Sequence, residues 1–486
     1  MIEFEDREKK MYEAVIGLEV HLHLKTRTKA FCGCSTEFGK EPNTQVCPVC
    51  LGFPGSLPAY NKTALDFAVK VALALNCIIQ EFTKFDRKNY FYPDLPKNYQ
   101  ISQYDLPLSR NGYLDIVVGT ENRRIGITRV HMEEDAGKLI HEEEESLVDF
   151  NRAGIPLLEI VSEPDLKSPQ EAYEYLNTLK SLIEYLDVSD CDMEKGSLRC
   201  DANVSIRNPG ESKLGTKTEL KNVNSFKAVR DALAYEIERQ SEVMDSGGKI
   251  SQETLLWDPD TMKTASMRTK EEAQDYRYFP EPDLPPFIMK EGVIEQIRKS
   301  IPELPREKMQ RLMKDFALTE YDAKLLVSSK KDAVFSEECI KEYKGKDKKM
   351  AANWLIGPML SEANNRNCGI SELKITPVAL IELIGFVERQ EISNLSAKAV
   401  LTEIIETGKT ATQIIKEKGF IQISDTSSLE KIAEEVIREN EKSVADFKAG
   451  KQNAVMFLVG QVMKRSQGKA NPKVVQEILK RRLTDA

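Results

Sequence analysis

The spacing of apolar residues changes near residue 295 of this 486-residue chain. Before that point, short runs of alternating apolar and polar residues are separated by Gly, Pro and Asn, a pattern typical of strands and turns. Beyond the proline-rich segment 280–286, apolar residues recur at intervals of three and four among abundant Lys and Glu, as in amphipathic helices. The sequence therefore predicts an α+β fold, with a sheet-containing domain followed by two all-helical domains.

We place the predicted domains at residues 1–295, 296–407 and 408–486, with Gly408 as the break between the two helical ones. The segments with the clearest strand alternation are 15–25, 125–131, 157–162 and 198–207. The segments with the clearest helical periodicity are 62–75, 169–185, 307–316, 377–388 and 429–439. In the second of these, Ser168 and Pro169 occupy the preferred N-cap and first helical positions.

Composition narrows the possible environments of the chain. The net charge is −9 and 41% of the residues are apolar, which suits packed cores and argues against a protein that coats nucleic acid non-specifically. No run approaches the roughly 20 apolar residues of a membrane helix, and the charged N-terminus lacks the apolar core of a secretion signal. We therefore expect a cytoplasmic or organelle-matrix protein that does not associate with a membrane.

Four of the nine cysteines form two close pairs separated by twelve residues, namely Cys32, Cys34, Cys47 and Cys50. Two such pairs can surround a zinc ion tetrahedrally at about 2.3 Å. Four unrelated thiols are the alternative, but the spacing favours zinc. Because four thiolates fill the coordination shell, this zinc would be structural rather than catalytic.

Polar residues of the first predicted strand share one face, because side chains alternate along a strand. This face carries Glu19, His21 and His23, and a later strand repeats the pattern with Arg199, Asp201 and Asn203. Further candidate groups in strand-like segments are His131, Glu133, Glu134, Glu159, Glu219 and Lys221.

Together, these faces favour a site for a hard cation beside a phosphate. Carboxylate oxygens suit magnesium, and nearby cations stabilise a transferring phosphoryl group. Each strand alone has a second interpretation, a solvated polar face on a half-buried sheet. The sequence lacks the GxxxxGK[ST], GxGxxG and GxSxG motifs, which argues against a P-loop kinase, a dinucleotide enzyme and a serine hydrolase.

Cations and aromatic rings are interleaved in segments 85–104 and 275–280. Such segments can stack the unpaired bases of an RNA acceptor end while neutralising its phosphates, and a loop core with outward-pointing tyrosines is an equal alternative. The candidate contacts are Arg87, Tyr90, Tyr92, Arg277 and Tyr278.

The C-terminal segment 451–486 carries eight cations against two carboxylates, a local charge of +6 in an acidic chain. This contrast favours RNA contact by Lys464, Arg465 and Lys469 over an ordinary helical tail.

Several long motifs resemble the B-subunit family of the heterotrimeric glutamyl/aspartyl-tRNA amidotransferases, in its zinc-bearing form. They lie at residues 16–21, 84–94, 131–137, 159–165, 196–203, 275–282 and 460–472. The resemblance implies a cradle-like catalytic domain with a mixed or antiparallel sheet, a helical domain, and a tail domain that contacts tRNA.

The resemblance also implies a ligase that uses ATP and magnesium to phosphorylate the side-chain carboxylate of Glu-tRNA(Gln) or Asp-tRNA(Asn). Ammonia from glutamine then yields Gln-tRNA(Gln) or Asn-tRNA(Asn). The implied partners are the amidase (A) subunit and the small (C) subunit of the same complex, together with the misacylated tRNA. Carried over residue by residue, the magnesium site comprises Glu19, His21, Glu134 and Glu159, with Glu133 and Asp201 as neighbours. Candidate phosphate or carboxylate contacts are Lys88, Arg199 and Lys221.

Two other classes remain possible on the residues alone. A non-catalytic tRNA-binding scaffold would show no ATP turnover even with both partner subunits present. A stand-alone metal-dependent hydrolase would act without tRNA. The sequence does not distinguish Glu-tRNA from Asp-tRNA as the substrate.

Overall fold

A computed structural model describes residues 11–142, 145–269, 275–420, 426–448, 451, 453–466 and 470–484 of the chain. The chain divides between Leu304 and Pro305 into two compact units. The first contains a large mixed sheet and the second is helical, so the predicted α+β class is confirmed. The further division of the helical part into two domains stays a prediction.

The first unit contains strands and helices in alternation. Its strands are β1 (Glu13–His23), β2 (Ile78–Ile79), β3 (Phe82–Thr83), β4 (Asp86–Asn89), β5 (Tyr99–Ser102), β6 (Ser109–Val118), β7 (Glu121–Glu134), β8 (Lys138–His141), β9 (Ser146–Asp149), β10 (Pro156–Ser162), β11 (Leu198–Arg207), β12 (Thr218–Lys221), β13 (Glu253–Asp258), β14 (Lys263–Thr269), β15 (Phe279–Pro280) and β16 (Phe287–Ile288). Its helices are α1 (Lys62–Ala74), α2 (Pro169–Leu186), α3 (Phe226–Asp245) and α4 (Glu291–Lys299).

Nine of these strands form one sheet in the order β14-β13-β12-β11-β1-β10-β7-β6-β2. Neighbouring strands are antiparallel except β12 and β13, which are parallel. Strand β1 lies between β10 and β11, although both are far from it in sequence. Smaller sheets pair β15-β4-β5, β16-β3 and β8-β9.

The apolar face of β1 is fully buried, as its alternation predicts. Ile16, Leu18, Val20 and Leu22 each have 0% exposure and pack in one core with residues of α1, α2 and α3. Each such side chain contributes about 2 kcal/mol through burial. Because the helices cover this face, the polar residues of the strands line the opposite face of the sheet.

Two of the helices that cover the sheet are capped at their N-termini by side chains. The side chain of Asn61 accepts from the backbone N–H of Thr63 at the start of α1, and Ser168 accepts from Glu171 at the start of α2. The predicted Ser168 cap with Pro169 at the first helical position is confirmed.

The second unit is built from helices, and in the described part of the chain no helix combines the length and apolar content needed to cross a membrane. The helices are α5 (Pro305–Phe316), α6 (Glu320–Leu326), α7 (Lys330–Glu342), α8 (Lys349–Trp354), a π-helical turn (Leu355–Met359), α9 (Leu360–Asn365), a 3-10 turn (Ile370–Glu372), α10 (Pro377–Glu388), α11 (Asn394–Thr407), α12 (Ala411–Lys418), α13 (Thr426–Glu439), α14 (Glu441–Lys448), α15 (Ala454–Arg465) and α16 (Pro472–Thr484). Gly408 ends α11 with a φ of 71°, a left-handed conformation that glycine adopts without a steric penalty.

Candidate active site

A row of four polar residues crosses the centre of the large sheet. His131 of β7 lies opposite Glu159 of β10, Glu159 lies opposite His21 of β1, and His21 lies opposite Arg199 of β11. Directly opposite residues of an antiparallel pair point to the same face, so all four side chains share the polar surface. Glu133 joins this face because it is two residues beyond His131 on the same strand.

The central carboxylate of this row is Glu159. Its Oε2 atom lies 3.2 Å from Nε2 of His131 and 3.6 Å from Nε2 of His21, and Oε1 of Glu133 lies 3.8 Å from the same His21 atom. One potential ligand atom from each of His21, Glu133 and Glu159 lies within 4.8 Å of the other two. Two carboxylates and an imidazole at this separation can bind one divalent cation, and the carboxylates are the ligand type that magnesium prefers.

The contacts between His21 and Glu159 shift the pKa values of these two groups in opposite directions. Burial disfavours the charged form of His21, but the carboxylates of Glu159 and Glu133 outweigh burial and raise the His21 pKa above its usual value. Burial acts to raise the pKa of Glu159, but His131 and His21 reverse this and hold that pKa well below the usual value. The row therefore favours a positive charge between two carboxylates, which a divalent cation can supply in place of a proton.

Three of the residues predicted as magnesium ligands lie outside this group of three, as far as the described residues show. Glu19 shares the polar face and accepts a hydrogen bond of 3.0 Å from Nδ2 of Asn203. Asp201 lies opposite Glu19 and binds Lys221, whose Nζ is 2.6 Å from Oδ2 of Asp201 and 3.2 Å from Oε1 of Glu219. Burial acts to lower the pKa of Lys221, but Asp201 outweighs it and raises that pKa, which keeps Lys221 cationic.

Glu134, the third of these residues, has different neighbours from Glu133. Its Oε1 atom accepts from the backbone N–H of Ile101 at 2.9 Å and pairs with the buried ammonium of Lys97. It lines a cavity of about 100 Å³ together with Lys97 and Cys50. Adjacent residues of a strand face opposite sides, so Glu133 and Glu134 cannot both point to the row of His21 without a distortion of β7.

A buried network around Asp135 was missed by sequence reasoning. Its Oδ2 atom lies 2.5 Å from Nε2 of His23, and its Oδ1 atom accepts from Arg199 at 3.0 Å. Arg152 also approaches Asp135, with Nε 3.4 Å from Oδ2. Burial acts to raise the pKa of Asp135, but Arg199 and His23 outweigh it and lower that pKa. The available signal was the shared face of His21 and His23; the partner of His23 depends on tertiary structure.

A group of aromatic rings holds one of the predicted phosphate contacts. The Nζ atom of Lys88 lies 4.8 Å from the ring centre of Tyr276 and 5.7 Å from that of Tyr90, within the range of cation–π attraction. Tyr278 stacks on Tyr104 at 4.2 Å. Burial, followed by the negative charges of Glu133 and Glu159, raises the pKa of Tyr278.

The remaining residues predicted to contact the acceptor end divide into exposed and engaged groups. The side chains of Tyr92 and Arg277 are both exposed. Arg87 instead donates from Nε and one terminal nitrogen to both carboxylate oxygens of Glu281 at 2.7 and 2.8 Å. The guanidinium of Arg87 also lies 4.2 Å from the ring centre of Tyr99, so its donors are committed within the protein.

The cysteine cluster has the geometry of a zinc site. The four sulfur atoms of Cys32, Cys34, Cys47 and Cys50 lie within 4.8 Å of one another, and those of Cys47 and Cys50 are 3.9 Å apart. Tetrahedral coordination at about 2.3 Å places sulfur atoms roughly 3.8 Å apart, whereas a disulfide requires about 2.05 Å. The backbone N–H of Cys47 also donates to Sγ of Cys50 at 3.2 Å, which stabilises a thiolate there. The four thiols therefore fit structural zinc.

The basic tail has a different local environment from the one its charge suggests. Lys464 is exposed, whereas Arg465 binds Glu439 at 2.7 Å and Glu435 at 3.1 Å. Lys469, the third predicted tRNA contact, lies outside the described residues.

Comparison with known proteins matches nearly the whole chain. The profile of the GatB/GatE catalytic domain family matches residues 14–295, and that of the GatB domain family matches residues 334–483. The B subunit of the aspartyl/glutamyl-tRNA(Asn/Gln) amidotransferase of Caldanaerobacter subterraneus subsp. tengcongensis is 57% identical over 474 residues, which cover 97% of this chain and 99% of that protein.

Two further relatives carry the same name. That of Carboxydothermus hydrogenoformans is 54% identical over 97% of this chain and 99% of its own length. That of Persephonella marina is 53% identical over 96% of this chain and 98% of its own length. Matches of this extent across both structural units confirm the resemblance of the motifs, and the chain therefore belongs to the family of aspartyl/glutamyl-tRNA(Asn/Gln) amidotransferase B subunits.

Proposed function

We propose that this chain is the ligase component that activates the side-chain carboxylate of glutamate or aspartate on a misacylated tRNA. ATP-dependent phosphorylation converts the carboxylate into an acyl phosphate, and ammonia displaces the phosphate to form the amide. The products are Gln-tRNA(Gln) from Glu-tRNA(Gln) and Asn-tRNA(Asn) from Asp-tRNA(Asn). Family membership and the names of the relatives support this proposal.

The row of His131, Glu159, His21 and Arg199 is the observation that carries the proposal. Phosphoryl transfer depends mainly on positioning and on neutralising charge, and this row, with Glu133 beside it, places two carboxylates and a cation on one polar sheet face. His21, Glu133 and Glu159 would hold magnesium, with Glu19 and Asp201 of the same sheet face as further proposed ligands; Glu134 would join them only through a distortion of the end of β7. Bound magnesium would neutralise phosphate oxygens and orient them for transfer.

Cations of the chain itself lie beside this group. Burial acts to lower the pKa of Arg199, but Asp135 outweighs it and raises that pKa, so the guanidinium stays charged at physiological pH. Lys221 and Lys88 are the other proposed contacts to phosphate or carboxylate oxygens. Asp201 orients Lys221, and the rings of Tyr276 and Tyr90 orient Lys88.

The proposed partners are the misacylated tRNA, an amidase (A) subunit that releases ammonia from glutamine, and a small (C) subunit. Exposed Tyr92 and the rings of Tyr90 and Tyr278 would stack the terminal bases of the tRNA, and Arg277 would contact its phosphates. Lys464, Arg465 and Lys469 remain proposed contacts to the tRNA body. We expect the assembly to work in the cytoplasm.

The test is reconstitution of the chain with the amidase and small subunits. We expect amide formation on Glu-tRNA(Gln) or Asp-tRNA(Asn) that requires both ATP and glutamine, with one ATP consumed per amide. A complete complex that shows no ATP turnover would leave the chain the role of a tRNA-binding scaffold. Metal-dependent hydrolysis by this chain alone, without tRNA, would indicate the hydrolase class instead.

A further inference from the structure

Lys29 has a fully buried side chain, with 0% exposure, next to the cysteine cluster. Its Nζ atom lies 3.7 Å from Sγ of Cys50 and donates to the carbonyl oxygen of Phe150 at 3.2 Å. Among the described residues, no carboxylate oxygen lies within 4.0 Å of this ammonium. A buried ammonium needs a compensating negative charge, and the sulfur of Cys50 is the group that contacts it, since Glu134 in the same cavity pairs with Lys97.

The charge of the cluster matches this requirement. Four thiolates around one divalent zinc ion leave two negative charges in excess, in a region where Cys50 is itself buried. We propose that Lys29 is the counter-ion of this zinc–thiolate centre, which makes it a positioning residue that raises zinc affinity without binding the metal.

The backbone holds Lys29 in place for this role. Its N–H donates to the carbonyl oxygen of Cys34 at 3.0 Å, and its own carbonyl oxygen accepts from the side chain of Asn61 at 3.3 Å. The next residue, Ala30, donates to the carbonyl oxygen of Gly154 at 2.8 Å. These bonds attach Lys29 both to the cluster and to the segment beside the polar sheet face.

Gly154 also contacts the buried network around Asp135 in the candidate active site. The N–H of Gly154 donates to the carbonyl oxygen of Asp135 at 2.8 Å, and Lys29 itself binds Phe150. Lys29 therefore connects the cysteine cluster to the residues that follow β7. If Lys29 only filled space with its methylene groups, the affinity of the cluster for zinc would not depend on the charge of Lys29.

The test uses the full-length chain in zinc-loaded and zinc-free forms. Lys29→Met removes the charge at similar volume, and Lys29→Gln removes the charge but keeps a hydrogen-bond donor. We expect both variants to bind zinc about tenfold more weakly in competition with a chromophoric chelator, the size of effect typical of residues that support metal ligands. Lys25→Met is the matched control, because Lys25 is 63% exposed and pairs with Asp187 at the surface; its zinc affinity should equal that of the unaltered chain.

Thermal unfolding distinguishes a counter-ion from a residue that only fills space. A space-filling lysine would stabilise the zinc-loaded and zinc-free forms equally. The zinc-loaded Lys29→Met variant should melt at a lower temperature than the unaltered chain. The zinc-free variant should melt at the same temperature or higher, because an uncompensated buried charge has been removed. Unchanged zinc affinity in Lys29→Met or in Lys29→Gln would overturn the proposal, as would equal destabilisation of the zinc-loaded and zinc-free forms.

Discussion

The Nε2 atom of His23 lies 2.5 Å from Oδ2 of Asp135, and this contact joins the central strand β1 to the residue that follows β7. Leu157 of β10 lies between the two strands at this level of the sheet. Arg199 reaches the second oxygen of Asp135 from the other side of β1. One buried carboxylate therefore links three strands of the polar face.

Asp135→Asn should destabilise the protein strongly at neutral pH. The substitution leaves the partly exposed guanidinium of Arg199 without its carboxylate and weakens the contact with His23, and loss of these hydrogen bonds to a buried charged group costs about 2 kcal/mol. Chemical denaturation at pH 7 measures the free energy of unfolding. Asp187→Asn is the control, since Asp187 pairs with Lys25 at the surface and its left-handed φ of 56° suits asparagine equally well.

The destabilisation by Asp135→Asn should also depend on pH. The folded-state pKa of Asp135 is lowered, so its stabilising contribution is fully present above the unfolded-state value of about 4 and declines as pH falls below that value. The difference in unfolding free energy between the two proteins should thus be constant from pH 7 to about 5 and shrink toward pH 3. A difference that grows on acidification would contradict the assigned charge state.

Glu159→Gln should lower the pKa of His21 in the metal-free protein. The Glu159 carboxylate is a main cause of the raised His21 pKa, and the neutral amide removes that attraction while burial still disfavours the imidazolium. Nuclear magnetic resonance of protein with labelled histidine measures this directly, because the chain has four histidines. His141, which lies at the surface next to Ser146, serves as the internal control, and its signals should be the same in both proteins.

The same substitution tests the sign of the linkage between pH and stability. A raised histidine pKa contributes stability that is fully present below the unfolded value of about 6.5 and is lost as pH rises through the folded value. The unaltered protein should lose this contribution as the pH rises above about 6.5, and the Glu159→Gln protein should lose less of it. Equal pH profiles would show that Glu159 does not control His21.

Arg87→Lys should cost about 2 kcal/mol of unfolding free energy. Lysine cannot reproduce the two parallel hydrogen bonds to Glu281, whose side chain is fully buried, or the stacking on Tyr99. Denaturant titration measures the loss. Arg124→Lys is the matched control, because Arg124 makes the same paired hydrogen bonds to Asp115 but is 60% exposed, so its effect should be far smaller.

Glu134→Gln should abolish ATP-dependent activation in the reconstituted complex while glutamine hydrolysis remains measurable. The amide removes the negative charge that pairs with Lys97 and that is proposed to serve magnesium. The measurements are ATP turnover, amide formation and release of glutamate from glutamine. Glu37→Gln, at a residue 63% exposed, should retain all three, and full amidation by Glu134→Gln would remove this residue from the active site.

The sequence by itself determined local structure and the face on which each strand is polar. Strict alternation in β1 predicted a buried face and a polar face, because successive side chains of a strand point to opposite sides. The buried face carries Ile16, Leu18, Val20 and Leu22, and the polar face carries Glu19, His21 and His23. Capping by Ser168 and termination at Gly408 were equally predictable, since both depend on backbone conformations that few residue types support. The cysteine spacing predicted a cluster of four thiols, which the structure brings together.

Only the tertiary structure decided which polar groups meet. Glu159 faces His21 across a pairing that joins residues more than 130 positions apart, and nothing local specifies that β1 lies between β10 and β11. Four other contacts also join residues that are far apart in sequence or depend on such pairings. Glu133 lies in the row of His21, Glu134 pairs with Lys97, Arg87 binds Glu281, and His23 contacts Asp135. Alternation along one strand assigns a face, but the register between strands assigns the neighbour, and that register depends on the packing of the whole sheet.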